Sequence, residues 1–272
     1  LKPFEFLKFG TVAIPLIIVC IISVLIVIKL LIKKLRISTK MAYLISIGST
    51  VCGTTAIMAT APVIRASKGE VAYAIANMTI FGIISMLIYP YFANIYFDGE
   101  PLFVGLFLGT AIHETSQVAA AGLIYDQQYN SPETLNIATV TKLIRNTFLV
   151  IMIPLFAFLY NRGKTKNKSY SLLDIFPYFV LGFIGMIIFR NIGDQIFLTE
   201  NVQQFWQGSI SNIKDSAKIF LSMAMAAVGL STNLKDLRSM GYKPFIVGFV
   251  AMITVGLVSI LTMESFAKFF FY

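Results

Sequence analysis

The stretch GTAIHETSQVAAAG, residues 109–122, holds the only histidine of the chain, His113, next to Glu114. A histidine titrates near neutrality and a desolvated glutamate can be raised toward it, so the pair could carry a coupling proton, or His113 could donate to a substrate oxygen. The alternative use is structural, with Glu114 accepting backbone N–H groups at a helix start. Thr110, Thr115, Ser116 and Gln117 surround the pair with neutral hydrogen-bonding groups suited to an anion. HETSQ lacks the second histidine of the H-E-x-x-H zinc motif, so a metalloprotease is excluded and no metal is expected.

A second stretch, GSTVCGTTAIMATA at 48–61, repeats the pattern at an offset of 61 positions. Gly48 falls on Gly109, Ser49 on Thr110, Val51 on Ile112, Thr54 on Thr115, Thr55 on Ser116, Ile57 on Val118 and Ala59 on Ala120. Ser49, Thr50, Thr54 and Thr55 are therefore the matching hydroxyl donors. Cys52 and Gly53 fall on His113 and Glu114, which confines the titratable chemistry to the second stretch. The plainer role for so many Gly, Ser and Thr residues is close helix packing.

Lys142 and Arg145, with Asn146 beside them, lie three apart and share one helix face. They could supply the cationic part of an anion site, or snorkel to an outer interface. Asn77 suits an interhelical contact, and Asp215 with Lys218 a boundary ion pair.

The elements that must position these groups are membrane helices. Of 272 residues, 57% are hydrophobic and 13% charged, and the mean hydropathy is +0.79; apolar runs of about 20 residues recur along the chain, as helices crossing a core of roughly 30 Å require. Six ordinary spans are expected at about 11–32, 70–92, 134–160, 171–192, 212–231 and 241–262. The segments 41–64 and 101–124 differ, being rich in small polar residues near their middles, where helix propensity is poor. These two are predicted to be broken helices within a single all-α transmembrane domain covering 1–272.

The net charge of +9 lies in short loops such as KKLRISTK (33–40) and NRGKTKNK (161–168). That is the pattern of cytoplasmic loops and not of a nucleic-acid surface. If all eight segments crossed, Arg65 and Lys68 would fall outside, and the acidic loop with Asp98 and Glu100 inside. If the two polar segments instead enter and leave on one side, Arg65 and Lys68 become cytoplasmic, while Asp98, Glu100, Asp126 and Glu133 become external, and every loop obeys the charge bias. The first hairpin then dips in from the cytoplasm and the second from outside, an inverted pair of the kind that builds secondary-transporter sites. Unwound helices that cross are the competing arrangement.

Cys20 and Cys52 fall in apolar segments without ligand spacing, so neither a disulfide framework nor a zinc site is suggested. No nucleophile with base and orienter, no cofactor motif and no phosphate loop of recognised spacing is present, which argues against an enzyme. No signal peptide is recognisable, and the echo of FLKFG (6–10) in LRSMG (237–241), without matching upstream sequence, points to further helices before Leu1.

GSTVCGTTAIMATAPVIRA, GTAIHETSQVAAAG, ATVTKLIRN and AMAAVGLSTNLKDLRSMG, in this order, resemble the YeiH-type family of bacterial inner-membrane proteins, named as sulfate exporters. The resemblance implies the fold group of cation/proton antiporters and anion transporters, with inverted repeats of about five helices and two broken helices at the centre. Family members usually carry an aspartate where this chain has Glu114, and have additional N-terminal helices. The expected function is secondary transport of a small anion such as sulfate, sulfite or a sulfonate across the bacterial inner membrane. A coupling proton, or Na⁺, is the expected second partner besides lipid, with possible homo-oligomers. A cation/proton antiporter using Glu114 and a non-transporting membrane subunit or sensor are the alternatives.

Overall fold

The computed structural model describes residues 3–161, 178–197, 200–230 and 241–270, and among these the chain is helix and turn without strands. Four stretches are long and apolar enough to cross a bilayer: Val12–Leu35, Lys68–Tyr96, Pro132–Tyr160 and Lys243–Ser265. They lie in helices α1 (Pro3–Leu35), α4 (Lys68–Tyr96), the consecutive pair α7 (Pro132–Thr147) and α8 (Leu149–Asn161), and α11 (Lys243–Phe270). The remaining two expected spans fold as α9 (Tyr178–Ile196) and α10 (Glu200–Leu230), joined where Trp206 Nε1 donates to Asp194 Oδ1 at 2.8 Å. Helix α9 carries an Arg190–Asp194 ion pair at 2.8 Å. Residues 171–177, Ser231, the basic stretch 162–168 and the side chains of Lys218 and of the FLKFG segment lie outside the described residues.

Local signals set the helix boundaries. Ser67 and Glu70 form a reciprocal capping box at the start of α4, and Pro101 and Pro132 open their helices where a missing N–H costs nothing. Arg36, Arg65, Asp98 and Asn130 all take left-handed backbone, with φ between 51 and 53°, at the turns that close α1, the first polar segment, α4 and the second.

Each polar segment is a helical hairpin. The first is α2 (Thr39–Thr50) and α3 (Gly53–Thr60); the second is α5 (Pro101–Ala111) and α6 (Thr115–Tyr129). At 12 and 11 residues, α2 and α5 rise about 18 and 16 Å, half of a roughly 30 Å core. Both ends of the first hairpin lie on one face, because Lys40 Nζ donates to Arg65 O (2.6 Å) and Ser38 Oγ to Glu70 Oε1 (2.9 Å). Both ends of the second lie on one face too, since the Tyr125 hydroxyl donates to Asn94 Oδ1 (2.9 Å) and reaches Gly99 O (3.4 Å).

Helix α7 confirms the reversal. Gly105 packs on Thr134 and Ile137, and Gly109 on Ala138 and Thr141, so α5 runs parallel to it; Gly122 meets Leu135 and Thr115 meets Asn146, so α6 runs back. The segments are therefore re-entrant. Because α4 crosses between them, they enter from opposite faces. Lys33, Lys34, Arg36, Lys40, Arg65 and Lys68 share the first hairpin's face, whereas Asp98, Glu100, Asp126 and Glu133 share the second's. The positive-inside bias assigns the basic face to the cytoplasm.

Helix α11 runs alongside α4. The Tyr73 hydroxyl donates to Gly241 O and Asn77 Nδ2 to Pro244 O, both at 2.8 Å, while the Tyr96 hydroxyl bonds the Glu264 carboxylate farther along. Asn77 thus makes the interhelical contact its position suggested.

Candidate functional site

The hairpins break where small and β-branched residues cluster. Helix α2 ends at Val51 (φ −126°, ψ −88°) and α5 at Ile112 (φ −85°, ψ 139°), two residues 61 apart, so the sequence offset also superposes these ends, while the following starts at Gly53 and Thr115 are 62 apart because the second break is one residue longer. Non-helical backbone at Cys52 (φ −137°, ψ 83°) and extended backbone at Glu114 then lead into α3 and α6. Four half-helix ends meet in the interior: two C-termini with unpaired carbonyls and two N-termini with unpaired N–H groups.

Arg145 and Lys142 satisfy the carbonyl ends. Arg145 donates through Nε to Thr50 O (3.0 Å), through Nη2 to Ser49 O (2.5 Å), and through Nη1 to Thr110 O and Ile112 O (3.3 Å). Lys142 Nζ donates to Val51 O (3.1 Å) and Ile112 O (2.8 Å). With 0% and 1% of their surface exposed, Lys142 and Arg145 do not snorkel. Placing a cation at this depth costs about 2.5–3.5 kcal/mol by insertion scales, and charge-assisted hydrogen bonds of about 1.5–3 kcal/mol each offset it. The donors of both side chains are directed at backbone oxygens, so an effect of theirs on an anion would be through their charge.

Glu114 serves a helix start, and not that of its own helix. Its Oε1 accepts from the Thr54 backbone N–H (2.5 Å) and from Thr54 Oγ1, placing a carboxylate at the N-terminus of α3 in the other hairpin. The half-helix start is a favourable place for that charge. Gly53 permits the approach, since a Cβ there would lie 2.7 Å from Glu114 Oε1. The start of α6 has no such carboxylate, because the position matching Glu114 is Gly53. Thr115 Oγ1 instead accepts from Asn146 Nδ2 (3.1 Å) and lies 3.6 Å from Cys52 Sγ.

The remaining expected donors divide by environment. Thr50 donates to Ile47 O (3.1 Å) and Thr110 to Leu106 O (2.6 Å), each within its own helix, and Ser49 packs on Met78 Sδ (3.5 Å). All three are buried, so their hydroxyls are already used within the packed interior. Gln117 turns toward α4, reaching Thr79 O at 3.4 Å beside Gly82. Thr55 and Ser116, the pair matched by the offset, are exposed, with Glu114 and Thr115 half-buried next to them. His113 is 1% exposed and neither ring nitrogen has a protein partner. The Gly53 contact and the cross-hairpin target of Glu114 had no signal in the sequence beyond the matched positions.

Comparison with known proteins agrees with a membrane protein. The family model described as conserved hypothetical protein 698 matches residues 1–248. A UPF0324 membrane protein of Fusobacterium nucleatum is 38% identical over 257 residues, covering 92% of this chain and 74% of the relative. The chain belongs to the UPF0324 membrane protein family. Other UPF0324 relatives occur in Streptococcus agalactiae, 35% identical over 96% of this chain and 75% of the relative, and in Clostridium tetani, 31% identical over 87% and 68%. No solved structure matches the chain. As a UPF0324 protein it is a multi-pass bacterial membrane protein, and the YeiH-type resemblance of its motifs points to the same family.

Proposed function

We propose that this UPF0324 protein is a secondary transporter of a small anion, sulfate-, sulfite- or sulfonate-like, coupled to protons. The observation that carries the reading is the meeting of two re-entrant hairpins, from opposite faces, around buried Lys142 and Arg145. Broken backbone at membrane depth is tolerated where it lines a cavity, and opposed broken elements are how secondary transporters build a midplane site. The hairpins are then the centres of two inverted repeats.

Charge supports an anion. Two buried cations and one half-buried carboxylate leave one net positive charge, and the partial charges of the two N-terminal and two C-terminal half-helix ends cancel. The anion is held at the uncapped start of α6 by backbone N–H groups and by Thr115, Ser116 and, across the gap, Thr55. Glu114 is the resident anion at the matching start of α3. A proton on Glu114 weakens its hold on Thr54 and opens that start to the substrate, which couples anion and proton movement. His113 relays the proton; a buried ring nitrogen without a partner costs about 1–3 kcal/mol, and water or substrate oxygen relieves it.

The test is a flux panel of sulfur oxyanions, sulfonates, carboxylates and alkali cations in proteoliposomes of the full-length protein, with and without a pH gradient. Saturable flux of one anion class, losing its pH dependence in Glu114→Gln and His113→Ala, is the expected result. A flat response across the panel defeats the transporter reading. Unchanged pH dependence in both variants defeats the coupling roles.

A further inference from the structure

Unwound carbonyls and half-helix C-termini at the middle of a membrane protein form the usual environment for a coupling Na⁺. In this chain that environment is occupied by a side chain. Lys142 Nζ donates to Val51 O at 3.1 Å and Ile112 O at 2.8 Å, the carbonyls of the residues that end α2 and α5. Those residues are 61 apart, so the amine holds the same atom of each hairpin. Arg145, one turn along the same helix, takes carbonyls deeper in both half-helices, at Ser49, Thr50 and Thr110, and shares Ile112 O with the lysine at 3.3 Å. Each half-helix C-terminus carries about half a negative charge, so the facing pair presents close to one full charge to whatever lies between them. Lys142 is fully buried, and its two carbonyl acceptors are backbone atoms fixed by the breaks.

We propose that Lys142 is a tethered substitute for a coupling alkali cation, so that anion movement by this protein needs neither Na⁺ nor K⁺. The Val51 and Ile112 carbonyls then become an alkali-cation site once the lysine head is removed. The first part rests on the transport reading given above; the second does not. A lysine that merely plugs two carbonyls gives a different result, because its loss would not be repaired by a small cation.

Thermal unfolding of the full-length protein in detergent separates the cases, with wild type, Lys142→Ala and Lys142→Gln each in choline, sodium, potassium or ethylammonium chloride at equal ionic strength. Wild type unfolds at the same temperature in all four salts. Both variants unfold at lower temperature in choline, and the loss is recovered with a saturating dose dependence in sodium, potassium or ethylammonium, as a ligand bound to the folded state requires. Glutamine keeps a neutral donor near the carbonyls, so its loss is the smaller of the two and keeps the measurement accessible if the alanine variant is too unstable. A wild type stabilised by sodium or potassium overturns the proposal. So do variants that no small cation stabilises, including variants that stay unfolded in every salt. In flux assays, replacing Na⁺ and K⁺ by choline leaves wild-type anion movement unchanged. Absence of all anion flux strikes the transport reading, and the unfolding result still decides whether the carbonyl pair is a cation site.

Discussion

The two hairpins share the position at which their first arms end, the length of those arms to within one residue and their small-residue composition, yet they are charged differently. In the first, the start of α3 receives a carboxylate from the other hairpin; in the second, the start of α6 faces a glycine. Their carbonyl ends, by contrast, are treated alike, since Lys142 and Arg145 bridge both. A matched scaffold thus holds an unmatched pair of helix starts. The lesson is that symmetry in the backbone is compatible with one filled and one open anion position, and a single side chain, Glu114 against Gly53, makes the difference.

The opposed openings give the largest effect. With cysteines placed at Arg65 and Asn130, a membrane-impermeant maleimide applied to sealed cells labels Arg65→Cys only after permeabilisation and Asn130→Cys before it. Labelling of both from one side breaks the comparison at its base. Cys20 and Cys52 are buried and give a low background.

Loss of the shared clamp comes next. Arg145→Ala leaves carbonyls of both hairpins without a donor, a destabilisation of about 3–5 kcal/mol or more. Thermal stability and monodispersity in detergent should collapse. Arg145→Lys should not restore them, because a compact ammonium cannot span four carbonyls. A stable Arg145→Ala protein would mean that the clamp is not what holds the hairpins together.

The asymmetry itself is probed by Gly53→Ala, whose Cβ would crowd Glu114 Oε1 at 2.7 Å. Overpacking of this kind costs about 1–3 kcal/mol. Adding Glu114→Ala to Gly53→Ala should recover the steric part, giving a clear coupling energy in a double-mutant cycle. Additive effects would place the strain elsewhere.

Gly48 and Gly109 give the smallest contrast. A Cβ at Gly109 would meet the Ala138 carbonyl oxygen at 2.5 Å, which is backbone, whereas one at Gly48 would meet the tip of Ile57 at 2.9 Å, which can rotate away. Gly109→Ala should therefore lower the unfolding temperature more than Gly48→Ala, by roughly 1 kcal/mol in stability. Equal losses would show that the two hairpins tolerate packing changes alike.

Much of the scaffold was legible in advance. Hydropathy alone located the four crossing stretches, and loop charges with the offset of 61 favoured an inverted pair of broken segments while leaving re-entrant and crossing forms both open, because a charge bias and a repeated small-residue pattern are local properties of the chain. The site was legible only as a set of residues. The three-residue spacing of Lys142 and Arg145 gave a common face but not what that face meets, and the carbonyls it meets are 30 to 96 positions away. The structural alternative for Glu114, capping a helix start, matches the geometry, but the helix is α3 and not the one its own segment begins.

By itself, then, the sequence determined that this is a helical membrane protein with two matched interruptions and a few polar groups at depth. Tertiary structure alone decided which of those groups are already satisfied. In a low-dielectric interior every charge and unpaired backbone group requires a partner, but a carbonyl, a carboxylate or a bound ion can meet that requirement equally well. Only the packing of α7 along the second hairpin, from which Lys142 and Arg145 reach across to the first, sends these side chains to the carbonyls of both, while Glu114 goes to Thr54 and the start of α6 is left without a carboxylate.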